Sequence, residues 1–199
     1  MLRIIGLGDS TTAGTPGFRS PIESPPNGEG DTKSQYAYWV MKKHPEWEVL
    51  NRGVNGERSD QILGRFERDV EKSRAKFVVI LAGVNDIYQG YPVDFTEANL
   101  RETYQKSSSM GSTPLACSVL PYNTMGEKEA TKMKEINDWI SREAKSRRIG
   151  FVDTSRAVAR EDRPDRLLGS PDGLHPDVEG YHRMGDAISG TIEDLLGIE

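Results

Sequence analysis

Four short segments of this chain carry side chains that could do covalent chemistry together: Gly8-Asp9-Ser10, Gly53-Val54-Asn55-Gly56, Gly83-Val84-Asn85-Asp86 and Asp172-Gly173-Leu174-His175. Splitting an acyl bond with a serine needs a hydroxyl nucleophile and an imidazole to take its proton. It also needs a carboxylate to fix the imidazole tautomer and donors for the oxyanion that develops. Ser10 offers the hydroxyl. Asp172 and His175, on one loop, are close enough in sequence for the carboxylate to accept from Nδ1 while Nε2 faces the serine. The backbone N–H groups of Ser10 and Gly56, with the side-chain amide of Asn85, make three candidate oxyanion donors. A glycine lets the backbone approach a substrate closely, and an amide donates without adding charge.

Taken one at a time these segments have ordinary explanations. Gly-Asp-Ser is usually a strand-ending turn in which Asp or Ser caps the backbone. Asp-x-x-His is usually a solvated loop pair, and Asn85-Asp86 reads as a helix start. What favours the chemical reading is their placement. Five apolar runs of strand length, Leu2–Leu7, Glu48–Asn51, Phe77–Ala82, Leu115–Leu120 and Ile149–Val152, alternate with segments of helical period. Ile62, Phe66 and Val70 recur at helical spacing, as do Met133, Ile136, Ile140 and Ala144, and Tyr181, Met184, Ile188, Ile192 and Leu195 share one face. That alternation is the mark of an α/β chain with a parallel sheet covered by crossover helices. Each chemical segment follows a run, so each falls at the carboxyl end of a predicted strand, where open parallel sheets bind their ligands.

The chain has 199 residues, the size of one domain with one substantial core, and no linker or internal repeat divides it. A single domain spanning 1–199 is expected. A net charge of −5 argues against nucleic acid as a partner, because phosphate binding rests on clustered Lys and Arg. Cys117, the lone cysteine, reads as core packing within the fourth run. No stretch approaches the length of a membrane span, and Met1–Leu7 is too short for a signal peptide. The expectation is a cytoplasmic protein without stable membrane insertion. Gly14–Lys33, with Pro16, Pro21, Pro25 and Pro26, cannot continue a helix or central strand. It reads as a long loop, either a surface insertion or a cover for substrate.

With those residues in place, the chain resembles the SGNH hydrolase family, the GDSL-like lipases and acylhydrolases named for a Ser, Gly, Asn and His in separated blocks. "IIGLGDSTTAG" from Ile4 is similar to the first block, "NRGVNGERS" from Asn51 to the second, "LAGVNDI" from Leu81 to the third and "DGLHP" from Asp172 to the last. The resemblance implies Ser10 as nucleophile and oxyanion donor, and Gly56 and Asn85 as the other donors. It implies His175 as base with Asp172 orienting it. It further implies a flavodoxin-like three-layer α/β/α sandwich, and an ester hydrolase that needs no metal or organic cofactor and acts on a small-molecule acyl ester. Thr12 stands where a Gly-x-Ser-x-Gly elbow would have its second glycine, which disfavours the α/β-hydrolase fold.

The remaining polar residues read as structural. His44, just before Pro45, suits a partner for a helix carboxyl end; His182 sits beside core-facing Tyr181; Asp9 and Asp86 shape loops. Tyr88, Tyr91, Phe95 and Tyr122 are candidates for pocket walls. Two competing readings are a catalytically silent carbohydrate-binding or scaffold domain on the same fold, and a phosphotransferase using Asp9, which lacks a carboxylate cluster for Mg²⁺.

Overall fold

A computed structural model describes residues 1–198. The chain opens with β1 (Leu2–Gly8), turns directly into α1 (Ser10–Ala13), and forms a short ribbon from β2 (Phe18–Arg19) and β3 (Glu29–Gly30). Next come α2 (Tyr36–Lys43), β4 (Trp47–Gly53), α3 (Ser59–Gly64), α4 (Phe66–Val70) and β5 (Phe77–Leu81). Then follow α5 (Val84–Tyr88), α6 (Val93–Ser109), β6 (Thr113–Cys117), α7 (Glu127–Arg147), β7 (Gly150–Val152), α8 (Thr154–Val158) and α9 (Val178–Leu196).

The five main strands pair in parallel in the order β4-β1-β5-β6-β7. Apolar runs without alternation suit such strands, since both sheet faces are covered. Ile5, Leu7, Val78 and Ile80 point into one core with Ile62, Phe66, Leu100, Tyr104, Ile136 and Ile140 from α3, α4, α6 and α7. Ile4, Phe77, Val79 and Leu81 point into a second core with Tyr36, Val40, Tyr181, Met184 and Ile188 from α2 and α9. The result is the expected three-layer α/β/α sandwich. Going from β1, the chain adds β4 on one side and β5 on the other, so the strand order reverses around β1 and opens a crevice beyond the carboxyl ends.

Several boundaries differ from the sequence reading. The fourth strand ends at Cys117 rather than Leu120; Ser118–Leu120 stay buried, but Val119 pairs with the Asn137 side chain at 2.6 and 2.9 Å instead of a strand. The helical run through Ile62, Phe66 and Val70 is two helices broken at Arg65, whose guanidinium turns inward. Leu195 is 46% exposed, past the point where α9 leaves the core. Gly14–Lys33 is a loop, as expected, yet an anchored one. The ribbon joins its two arms, Ser20 Oγ donates to Gly53 O at 2.6 Å, and Tyr181 Oη donates to Thr15 O at 2.7 Å.

Candidate active site

The end of β1 is built to hold α1 tightly. A Cβ on Gly8 would lie 2.3 Å from Thr12 Oγ1, and one on Gly53 would lie 2.1 Å from the backbone nitrogen of Ala13. Glycine at both places lets the first turn of α1 lie directly on the ends of β1 and β4. Asp9 caps that turn, with Oδ1 accepting from the Thr11 N–H at 3.0 Å. Its Oδ2 is buried without a partner among the described residues. Burial pushes the Asp9 carboxyl up to about 7, against the opposing Thr11 hydrogen bonds and helped by the nearby Asp86 and Glu57 charges.

Ser10, the first residue of α1, therefore sits at the crevice with only 6% of its surface exposed. His175 Nε2 lies 2.9 Å from Ser10 Oγ, and His175 Nδ1 lies 2.7 Å from Asp172 Oδ2. Asp172 Oδ1 accepts from the Leu174 N–H at 2.9 Å and the His175 N–H at 2.8 Å. Partial burial would raise the Asp172 carboxyl, but the hydrogen bonds from His175 and the two backbone N–H groups outweigh it and hold the group below its ordinary value. The turn itself is fixed by Ser170, whose Oγ donates to His175 O at 2.6 Å and accepts from the Gly173 N–H at 2.8 Å. The structure thus joins Ser10, His175 and Asp172 in one hydrogen-bonded chain.

Gly56 and Asn85 reach the same place from β4 and β5. Gly56 adopts a φ of +73°, a left-handed conformation natural to glycine, and a side chain there would project into open space. Asn85 Nδ2 donates to Glu57 O at 2.9 Å, and its second amide hydrogen has no acceptor among the described residues. The backbone N–H groups of Ser10 and Gly56 have no acceptor among the described residues. Ser10, Gly56, Asn85 and His175 line one cavity of about 210 Å³, together with Thr11, Asn55, Val84, Tyr88, Tyr122 and Leu174. The residues that carry a hydroxyl, an imidazole beside it and three N–H donors thus line one cavity, the set of groups that acyl transfer uses. Among the described residues, no three His, Cys, Asp or Glu side chains converge as a metal site.

Other sequence expectations sort clearly. Tyr88 and Tyr122 do wall the cavity, edge to face at 5.8 Å. Tyr91 and Phe95 instead pack on each other with tilted rings 4.8 Å apart and are not part of its wall. Asp86 accepts from Ser59 N, Ser59 Oγ and Thr96 Oγ1, tying α5 to α3 and α6. His44 stacks on Trp47 at 3.7 Å and bonds Glu193 at 2.7 Å, so its side chain serves α9 rather than the end of its own helix. His182 stacks on Trp39. Cys117 is buried in the core, and desolvation raises its thiol far above the ordinary range.

Arg65 is the site's unforeseen support. Its side chain is 6% exposed and reaches Gly8 O at 2.8 Å, Glu57 Oε2 at 2.6 Å and Asp69 Oδ2 at 2.5 Å. One guanidinium thereby ties the strand that carries Ser10 to the residue whose carbonyl holds Asn85. The only hint in the sequence is an arginine beside Gly64 at the centre of an apolar helical pattern.

A parallel sheet of this order with a Ser-His-Asp chain over its β1 crevice defines a flavodoxin-like hydrolase. The chain belongs to the GDSL-like lipase/acylhydrolase family, whose profile matches residues 7–183, and it is accordingly an ester-bond hydrolase. It is 22% identical over 172 residues to thioesterase 1/protease 1/lysophospholipase L1 of Escherichia coli strain K12, covering 84% of this chain and 79% of that protein. It is 23% identical over 154 residues to an acetylxylan esterase of Geobacillus stearothermophilus, covering 70% and 69% of the two chains. Among solved structures, a G-D-S-L family protein from Desulfitobacterium hafniense DCB-2 superposes with a TM-score of 0.80 at 23% identity, covering 96% of this chain and 99% of that one. No helix among the described residues is long and apolar enough to cross a membrane.

Proposed function

We propose that this protein hydrolyses small acyl esters through a covalent acyl-enzyme on Ser10. The single observation that carries the reading is the Ser10–His175–Asp172 chain, at 2.9 and 2.7 Å, opening into the cavity that Gly56 and Asn85 also line. Ser10 Oγ attacks the ester carbonyl while His175 Nε2 takes its proton. Asp172 keeps the remaining proton on Nδ1 and stabilises the imidazolium that forms. The carbonyl oxygen becomes an oxyanion, met by the N–H groups of Ser10 and Gly56 and by Asn85 Nδ2. Collapse expels the alcohol or thiol, which receives the proton from His175. Water then attacks the acyl-serine with the same residues in the same roles, releasing the acid and restoring Ser10.

At about 210 Å³ the cavity falls below the roughly 300–1,000 Å³ of drug-sized pockets, and Val84, Tyr88, Tyr122 and Leu174 give it apolar walls. Those dimensions support a short acyl group with the leaving group toward solvent. Acetylated sugars, thioesters and lysophospholipids are the substrate classes to compare, the first represented in the name of the Geobacillus stearothermophilus relative and the other two in that of the Escherichia coli protein. The test is turnover of p-nitrophenyl esters from acetate to laurate, with p-nitrophenyl phosphate as control. Rates highest on the short esters and abolished in Ser10→Ala support the reading. No turnover of any ester by the parent would move the protein to the silent-binder alternative.

A further inference from the structure

The turn that presents Gly56 has little packing of its own. Its last tie to the sheet is Val54 N–H to Gly8 O at 3.1 Å, and beyond that Asn55 and Gly56 are exposed. On the far side Glu57 is held by Arg65. On the near side the hold comes from the loop between β1 and α2. Glu23 Oε1 accepts from the Asn55 backbone N–H at 3.0 Å, and both carboxylate oxygens accept from Asn55 Nδ2 at 2.9 Å. Thr15 Oγ1 completes the arrangement by donating to Asn55 Oδ1. Glu23 is itself fixed, because its loop is pinned at Thr15, at Ser20 and through the ribbon, with the Glu23 N–H donating to Ser20 O at 3.0 Å.

We propose that Glu23 is a positioning residue for the acyl-transfer step, its carboxylate clamping Asn55 so that the adjacent Gly56 N–H stays aimed at the oxyanion. This rests on the reading of Gly56 as an oxyanion donor. It gives the loop of residues 14–33 a role other than covering substrate: it holds the donor turn in place. The charge of Glu23 makes the proposal decidable by sign. A carboxylate near a developing oxyanion opposes it, so if charge were its only effect, removing Glu23 would raise kcat. If Glu23 positions the donor, removing it lowers kcat, because the donor acts on a charge that is complete only in the transition state.

The experiment compares the parent with Glu23→Ala, Glu23→Gln, Asn55→Ala and Asn85→Ala on p-nitrophenyl acetate, with melting curves for each. Misplacing a catalytic group by about 1 Å costs on the order of 10²-fold, so Glu23→Ala should lose about 10- to 100-fold in kcat with KM within about twofold. Glu23→Gln, which still accepts through weaker neutral hydrogen bonds, should fall between it and the parent. Because the two residues act through one contact, Glu23→Ala combined with Asn55→Ala should be no worse than the poorer single variant. If Glu23→Ala melts early, Glu23→Gln decides: reduced kcat at parental melting supports the clamp, and parental kcat overturns it. A kcat equal to or above the parent's in Glu23→Ala, with Asn85→Ala strongly impaired, overturns the clamp and leaves the site reading intact. Parental kcat in Asn85→Ala as well overturns the oxyanion reading and the clamp together.

Discussion

Replacing Asp172 by asparagine is a near-isosteric change whose consequence the geometry of the turn dictates. Asp172 Oδ1 accepts two backbone N–H groups, from Leu174 and His175, at 2.9 and 2.8 Å. In Asp172→Asn the amide oxygen must take that position, since an NH₂ group there would face two donors. The amide nitrogen then falls where Oδ2 was, 2.7 Å from His175 Nδ1. It can only donate, so Nδ1 becomes the acceptor and the ring proton moves to Nε2. An Nε2 that carries a proton donates to Ser10 Oγ and cannot receive from it. In the serine-histidine-aspartate template the wrong tautomer lowers kcat by about 10⁴, equivalent to about 5.4 kcal/mol of barrier. The stability cost should be small, because the pair is partly open to water and such pairs are worth about 1 kcal/mol or less. The assay is steady-state kcat on p-nitrophenyl acetate alongside a melting curve. A variant that keeps kcat within about tenfold of the parent would refute the tautomer argument.

Three further substitutions test separate parts of the structure. Asn85→Ala removes a transition-state donor and should cost about 10²- to 10³-fold in kcat with KM barely changed; a fall of about 1 kcal/mol in stability with parental kcat would mark it as only a tie between α5 and the Glu57 carbonyl. Gly53→Ala places a Cβ 2.1 Å from the Ala13 nitrogen, backbone that cannot rotate aside, so melting should drop by the equivalent of about 1–3 kcal/mol and kcat should fall with it as α1 is displaced. Parental melting and kcat would show that β4 and α1 are less tightly packed than described. Asp9, raised by burial to about 7 against about 3.9 unfolded, binds more protons folded than unfolded across that interval, so it withdraws stability as pH rises from about 4 to about 7. In Asp9→Asn the amide oxygen still caps Thr11 without a charge, so its melting temperature minus the parent's should increase between pH 5 and pH 8; a constant difference contradicts the buried-carboxyl assignment.

The sheet was legible because parallel strands buried on both faces write continuous apolar runs, and Leu2–Gly8 and Phe77–Leu81 match their runs to within a residue. Where tertiary contacts replace the ladder, periodicity misleads: Ser118 makes a last bond to Val152 O of β7 at 3.0 Å, and beyond it Val119 is buried and held by the Asn137 side chain rather than by a neighbouring strand. The helix through Ile62 breaks because Gly64 weakens it and Arg65 gains two buried partners, Asp69 and Gly8 O, and a half-buried one, Glu57, by turning in. The site could be read from four segments because parallel topology sends the carboxyl ends of the strands to one edge. Its supports could not. Ser170 acts on backbone groups within its own turn, while Arg65 reaches back to Gly8 and Glu23 across to Asn55, and no spacing rule encodes a carboxylate at position 23 that meets an asparagine at position 55.

Ser10 Oγ as the covalent nucleophile can be read out by irreversible labelling. The parent, treated with a fluorophosphonate and digested, should carry one phosphonyl adduct on the peptide containing Ser10, at a stoichiometry approaching one per chain. Ser10→Ala, folded as shown by its melting curve, should carry none. Equal labelling of parent and variant, or an adduct on any other residue, would remove Ser10 as the nucleophile.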